Sequence, residues 1–337
     1  MSALVVQACG PAVSVQDRGR YGWQRFGVSP AGAMDPFFLA AANLLAGAPT
    51  EAAAVEIGPG LARFKADGAL TVALAGPDAR LEVGGQVVPA FTAAHLADGD
   101  VATVRSGPAG VYAYLAVAGG IATAPDMGSR SQHRRSGIGG APLAPGMRLP
   151  AGDGERPLMR FTEAPRHEDG PIRLLPGPQD DYFSAEMLGR LCGPGYRISA
   201  QADRMGLRLD GPALDHKSGY NIVSDGIVEG SIQVPGDGMP IILLRDRQTT
   251  GGYPKIATII SADLGRFAQI PGGKPVRFAA VDMDEAVAAA RRMQDAIAAL
   301  ADGLVPAGAA LTSERLLSLN LVGGVISAAQ PEPQAAS

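Results

Sequence analysis

Short runs of alternating apolar and polar residues, each cut off by glycine or proline, dominate this sequence. Glycine occurs 45 times and proline 27 times among 337 residues. Proline breaks the helical hydrogen-bond ladder and glycine weakens it, so a chain punctuated this often cannot be mostly long helix. Disorder is excluded as well, because hydrophobic residues make up 46% of the chain and charged residues 18%, enough apolar surface to drive a core. No Gly-X-Y period is present, which excludes collagen. The expectation is a turn-rich, mainly β protein, and its length suggests about two domains.

The pattern along the chain refines this. Asp35, Pro36 and Gly47 have the character of N-cap, first helical residue and C-terminal stop, which predicts a buried helix over 37–46. ALTVALAG reads as a strand, and RLEV and QVV flank Gly84-Gly85 as a two-residue hairpin. DVATVR and VYAYLAVAG are expected to pair with each other around residues 106–110. A loop-rich stretch near 155–170 marks a boundary. Beyond it, after IRLLPGP and a short helix around 181–191, YRISAQ, GLRLDG, GSIQVP, PIILLRD, YPKIATIIS, FAQIPGG and VRFAAV follow as strand candidates. They recur about every 8–12 residues, as in closed β architectures. After 281 the pattern turns helical: Asp282 and Glu285 form a capping-box pair, and Met283, Val287, Ala290, Ile297, Leu300 and Leu304 fall on one stripe. A shorter helix is expected near 313–320. The expected units are 1–160 and 161–280, both β-rich, a helical extension over 281–327 and a disordered tail over 328–337.

Charge and cysteine content bound the partners. Lysine plus arginine number 29 and aspartate plus glutamate 33, for a net charge of −4. The signs are interspersed except at Arg130, His133, Arg134 and Arg135, so nucleic acid is not an expected partner. No apolar run approaches the ~20 residues of a membrane span, and the N-terminus lacks signal-peptide character. Cys9 and Cys192 form no CxxC and the four histidines lack ligand spacing. A reducing, cytoplasmic address is expected, and no metal site. There is no P-loop, GxGxxG, HExxH or GxSxG motif.

Chemistry concentrates in residues 15–47 (VQDRGRYGWQRFGVSPAGAMDPFFLAAANLLAG) and 231–273 (SIQVPGDGMPIILLRDRQTTGGYPKIATIISADLGRFAQIPGG). Both set polar side chains among glycines, which permit close backbone approach to a ligand. These segments, with AYLAVAGGI, GSRS, LPGPQ and DRMGLRLDG between them, resemble the allophanate hydrolase subunit 2 / KipA-like family of biotin-dependent carboxyltransferase-type proteins, which includes the C subunits of 5-oxoprolinases. The resemblance runs from about residue 7 to 279. It implies a mainly β fold with a cyclophilin-like barrel, a few short helices and two kinds of partner chain, a KipI-like (B-type) protein and a LamB-like (A-type) protein. It implies ATP-dependent hydrolysis of 5-oxo-L-proline to L-glutamate, with ATP shared with or supplied by a partner subunit. Two other readings follow from the same family: carboxyl transfer to urea or another small amide from biotin carried on another chain, and a KipA-type regulatory binding role. Gln132 and His133 depart from the family's usual Ser-Thr-Asp after GSR, and HKSGYNIVSDGIVEG is less typical.

Opening a lactam calls for cations near a developing oxyanion or phosphate and a group to manage the ring N–H proton. Lys255, beside Gly251 and Gly252, is the leading candidate for such an electrophilic contact, with Asp246 and Tyr253 as further catalytic candidates. Gln16, Asp17, Arg20, Arg130, His133, Gln233, Asp237, Arg247, Gln248 and Thr249 are candidate substrate contacts. Ion pairing within loops and turns is the competing reading for Asp17, Arg20 and Asp237, helix capping for Asp35, and packing for Trp23. Arg204 is left open between ion pairing and substrate contact.

Overall fold

The computed structural model describes residues 2–152 and 154–307. The expected helix near 313–320 and tail 328–337 lie outside those residues. The protein is mainly β.

Two antiparallel sheets from the first half pack face to face. The six-stranded sheet runs in spatial order Arg148–Pro150, Ala3–Cys9, Leu61–Asp67, Val101–Arg105, Arg80–Val83, Gln86–Val88. The five-stranded sheet runs Val13–Gln16, Ala54–Ile57, Ala113–Val117, Leu70–Ala75, Ala93–Leu96. Leu4, Val6 and Phe64 from one sheet meet Val55, Val72, Leu115 and Val117 from the other in a single apolar cluster. Each such fully buried large side chain contributes about 1.5–3 kcal/mol.

DVATVR and VYAYLAVAG do not pair with each other: Val101–Arg105 lies in the first sheet and Ala113–Val117 in the second. The reason is burial. Ala113–Val117 is covered on both faces, so it occupies the centre of its sheet rather than closing a hairpin. Its odd-numbered residues enter the sandwich core, while Tyr114 and Ala116 face the other way, toward helix α1 (Pro36–Ala46). Ala54, Ala73 and Ala116 are small, which lets the helix approach the sheet closely. Asp35 caps α1 by accepting from the Phe37 and Phe38 amides, and Gly47 ends it at φ 73°. At the other hairpin, Val83 pairs with Gln86 across Gly84 and Gly85, both at positive φ, the conformation a primed two-residue turn needs.

The second half forms a seven-stranded sheet, Arg197–Ala202, Gly206–Asp210, Ile241–Leu243, Ser231–Gln233, Lys255–Ile259, Ile172–Pro176, Phe278–Ala280. The sheet curls: residues 273–276, leading into the last strand, bond back to the first through Gly273 N–H to Ile198 O and Val276 N–H to Tyr196 O. FAQIPGG is not a strand. Phe267 and Ala268 belong to the short helix α3 (Leu264–Ala268), which follows α2 (Ala185–Cys192) in the chain. Phe267 is fully buried in the barrel core, and Asp263, just before the helix, is fixed by Arg173 and Arg266. Helix α1 packs into the same core cluster as this barrel, so it lies between sandwich and barrel.

Helix α4 (Met283–Ala299) starts where expected, with Asp282 accepting from the Glu285 amide. The second half of the expected apolar stripe holds, with Leu300 buried in the core cluster and Ile297 and Leu304 packed against it, while the first half is rotated. Ala286 and Ala289 are buried beside Ile260, with Leu175 and Val281 packed against them, while Met283 is 62% exposed and Val287 also faces solvent. Small residues give the closer contact. The chain then returns as Leu304–Pro306, pairing antiparallel with Met159–Phe161. No helix among the described residues is long and apolar enough to cross a membrane.

Candidate functional site

The loop 244–249 leaves the end of strand Ile241–Leu243 and turns between two concave surfaces. The larger is a cleft of about 840 Å³ between sandwich and barrel, lined by Pro11, Pro108, Tyr112, Ile198, Met205 and Pro271, with Arg134, Arg135, Arg204 and Asp246 among its polar groups. The smaller is a groove of about 450 Å³ on the barrel, lined by Gln233, Arg247, Gln248, Tyr253, Ile241 and Leu243. Successive residues of one loop, Asp246 and Arg247, thus face different surfaces.

At the cleft, Asp246 is buried and fully engaged. Its two carboxylate oxygens accept from Arg204 Nε and Nη2, both at 2.9 Å. Arg204 also pairs with Glu56 of the five-stranded sheet and donates to Gly32 O at 2.8 Å. Glu56 in turn accepts from Tyr114 Oη at 2.8 Å and from the Met34 amide at 2.7 Å. Burial would lower the Arg204 guanidinium, but Glu56 and Asp246 together hold it above its ordinary range. Burial, then Glu56, pushes the neighbouring Tyr112 phenol up. This network joins sandwich to barrel. It gives Arg204, which the sequence left open, two carboxylate partners, and it engages both carboxylate oxygens of Asp246, while both residues still line the cleft. His133 Nε2 lies 3.2 Å from Asp246 O and Nδ1 2.6 Å from Ser136 Oγ. A carbonyl only accepts, so the hydrogen sits on Nε2 and Nδ1 accepts from Ser136.

A second group of predicted residues is brought together, but as a loop lock. Asp17 Oδ1 accepts from Ser129 Oγ, Ser131 Oγ and Gly19 N, and Oδ2 from the Arg130 amide, at 2.6–2.8 Å. Burial would raise this carboxyl, but the serine hydroxyls and the two amides hold it below the usual range. Gln16 bonds Gln132 O, Ser14 Oγ and the Gly32 amide. Arg20 reaches Asp126 O and Ser131 O, and the Arg130 side chain holds Thr123 O. Asp237 closes a turn onto Met239 N–H and pairs with Arg208. These residues have structural partners for most of their polar atoms.

The barrel groove is different. Arg247 is buried and makes no ion pair among the described residues; its contacts to Ile227 O, Leu244 O and Gln24 Oε1 are all 3.4 Å. Burial lowers its guanidinium below the ordinary value. Gln248 and Tyr253 are exposed at the groove, and Thr249 is half-buried, its carbonyl accepting from Ile227 N. Gln233 is 3% exposed, and its Nε2 has no hydrogen-bond partner. Lys255 stands opposite Gln233 on the adjacent strand, at an irregularity in the ladder between Ile232 and Gln233. It is 1% exposed and donates to Asp225 Oδ2 at 2.9 Å. Gly251 lies close beside them: a Cβ there would lie 2.5 Å from Gln233 Nε2 and would push that amide aside.

The sequence singled out neither Gln179 nor Asp225, although both touch this lysine's site. Gln179 ends the LPGPQ segment and Asp225 lies in HKSGYNIVSDGIVEG, so each stood inside a stretch already noted. Glu56 carried no local signal, being a carboxylate in an otherwise apolar strand. Gln233, Arg247, Gln248 and Tyr253 at the open groove, with Lys255 buried on the neighbouring strand, thus form the candidate site: two buried cations, an unpartnered amide and a phenol. Such a set can hold an anionic oxygen and read an amide.

A family model described as carboxyltransferase domain, subdomain A and B, matches residues 26–280. The chain is 38% identical over 297 residues to the C subunit of 5-oxoprolinase from Escherichia coli (strain K12), covering 86% of this chain and 95% of that protein. The corresponding Haemophilus influenzae protein is 33% identical over 282 residues, 83% of this chain and 91% of its own length. The Kluyveromyces lactis urea carboxylase crystal structure superposes with a TM-score of 0.80 over 90% of this chain at 24% identity, and this chain spans 30% of it. The mainly β fold and the match across most of the sequence together place the chain in the carboxyltransferase-domain family, subdomains A and B.

Proposed function

We propose that this chain is the C-type subunit of an ATP-dependent 5-oxoprolinase, converting 5-oxo-L-proline to L-glutamate together with LamB-like (A-type) and KipI-like (B-type) partner chains. The observation that carries this reading is the near end-to-end similarity to relatives named as C subunits of 5-oxoprolinase.

The groove chemistry suits the substrate. Arg247 at the groove and Lys255, buried on the strand beside Gln233, offer positive charge for anionic oxygens, Gln233 offers an unused amide for the lactam, and Tyr253 offers a hydroxyl at the edge. The larger cleft has the apolar walls and arginines that a nucleotide needs; its volume falls within the range of small-molecule sites. Arg134 and Arg135 would hold the phosphates there. When bound, ATP supplies the phosphoryl group that makes the lactam oxygen a leaving group. Asp246, fixed by Arg204, holds the loop that carries Arg247 and Gln248 in place.

The test is reconstitution with A- and B-type partner chains, measuring glutamate formed from 5-oxo-L-proline with and without ATP. Glutamate formation that needs all three chains and ATP is expected. A complete complex that forms no glutamate rules the reading out. The family description favours one other reading, carboxyl transfer from biotin borne on another chain to urea or a similar amide. Labelled bicarbonate incorporated in the presence of a biotinylated carrier would select it. Tight binding to a KipI-like chain without turnover would select a regulatory role.

A further inference from the structure

We infer that Lys255, Gln179 and Gln233 form a binding site for a small carboxylate, and that the Asp225 side chain occupies it until the ligand displaces it. Two donors meet on one oxygen: Lys255 Nζ at 2.9 Å and Gln179 Nε2 at 3.2 Å both reach Asp225 Oδ2. Gln179 is held in register for this. Its Oε1 accepts from the Lys255 amide at 3.2 Å, and its own amide donates to Lys255 O at 3.1 Å. With Oε1 engaged there, Nε2 faces the carboxylate. Gln233 supplies a third donor. Its Nε2 is buried without a partner and borders Gly251, the residue that pairs with Asp225 across a two-residue ladder.

The occupant is unlike its site. Lys255 is 1% exposed, yet the Asp225 side chain is 52% exposed. A buried ammonium needs a counter-charge, whereas a half-solvated carboxylate can return to water at little cost. Rotation about the Asp225 side-chain bonds frees the site and leaves the backbone pairing of Asp225 and Gly226 with Gly251 and Thr250 intact. An incoming carboxylate then takes over the charge on Lys255 and can reach the unused Gln233 amide, which Asp225 leaves unbonded. Asp225 Oδ1 also accepts from the Gly226 amide at 2.7 Å, a bond that gives way to water when the ligand displaces the side chain.

That the carboxylate belongs to 5-oxo-L-proline rests on the proposed function; the exchange itself does not. The experiment is calorimetric titration of the full chain with succinate, a carboxylate without a lactam, and with 2-pyrrolidone, a lactam without a carboxylate. Asp225→Asn is expected to bind succinate at least about tenfold more tightly than the wild type, because the competing anion is gone. Pyrrolidone affinity should not change. Lys255→Met should abolish succinate binding, and Lys255→Arg should retain part of it. Equal succinate affinity in wild type and Asp225→Asn overturns the inference, as does full binding by folded Lys255→Met. If Lys255→Met does not fold, the Asp225→Asn comparison decides alone. Succinate binding with this pattern in a chain whose reconstituted complex makes no glutamate keeps the site and removes the 5-oxoprolinase reading.

Discussion

Arg204 and Lys255 are both cations withdrawn from water and held by carboxylates, yet the two pairs are built for different ends. Arg204 lies between two buried carboxylates, and Glu56 is itself bonded to Tyr114 and the Met34 amide. Every charge in that network has a partner inside the protein. Lys255 has one charged partner, half in solvent, and an idle amide next to it. A sealed network fixes the sandwich against the barrel. An unsealed one leaves donors for something else to use, so a count of ion pairs alone would not have separated them.

The sharpest way to break this contrast is Arg204→Ala, which strands Glu56 and Asp246 without a counter-charge. We expect a loss of about 3–5 kcal/mol, read by denaturant unfolding; a loss under about 1 kcal/mol would mean the network is not structural. Next is Asp17, whose carboxyl is held below the usual range by the serine hydroxyls and amides that outweigh burial. A lowered folded value means its stabilisation is complete above the unfolded value of about 3.9 and is lost as pH falls through the folded one. Asp17→Asn should therefore be less stable at neutral pH and show a flatter decline in acid, measured by melting temperature against pH. Asp282→Ala removes one helix cap and should cost about 1 kcal/mol, with hydrogen exchange rising at the start of α4 and not in the barrel. Smallest in stability is Lys255→Met, expected within about 1 kcal/mol of wild type because an apolar isostere replaces a buried charge and Asp225 is solvated. Its effect belongs to turnover of the assembled complex, which should fall at least about 100-fold. A severe stability loss without a turnover defect would reverse the assignment of the two pairs.

The features legible in the sequence were those set by local chemistry. The Asp35 cap with Pro36 and Gly47, the Gly84-Gly85 hairpin and the Asp282 cap depend on residues a few positions apart. What was not legible depends on packing. Whether 101–105 pairs with 113–117 was decided by a helix covering the second strand's other face. At the start of α4, Ala286 and Ala289 pack beside Ile260 while Met283 and Val287 face solvent. At the site, residue types placed Lys255, Gln233 and Arg247 among the candidates, and Asp17 and Arg20 equally. The structure separates Asp17 from the first three by satisfaction, since four donors already converge on it; Arg20 is not separated this way, because its Nη1 is buried without a partner as the Gln233 Nε2 is. Asp225 and Gln179 escaped notice because neither carries chemistry until folding brings it beside the lysine.

The antiparallel clasp between Met159–Phe161 and Leu304–Pro306 has a kinetic side. A pairing between segments so distant in sequence must close a large loop before it returns any contact. During synthesis the sandwich strands emerge and can pair long before residues 304–306 exist, so the strand at 159–161 waits without its partner. The extension is thus expected to dock last, and Leu300, buried in the shared core, seals the assembled molecule at that step.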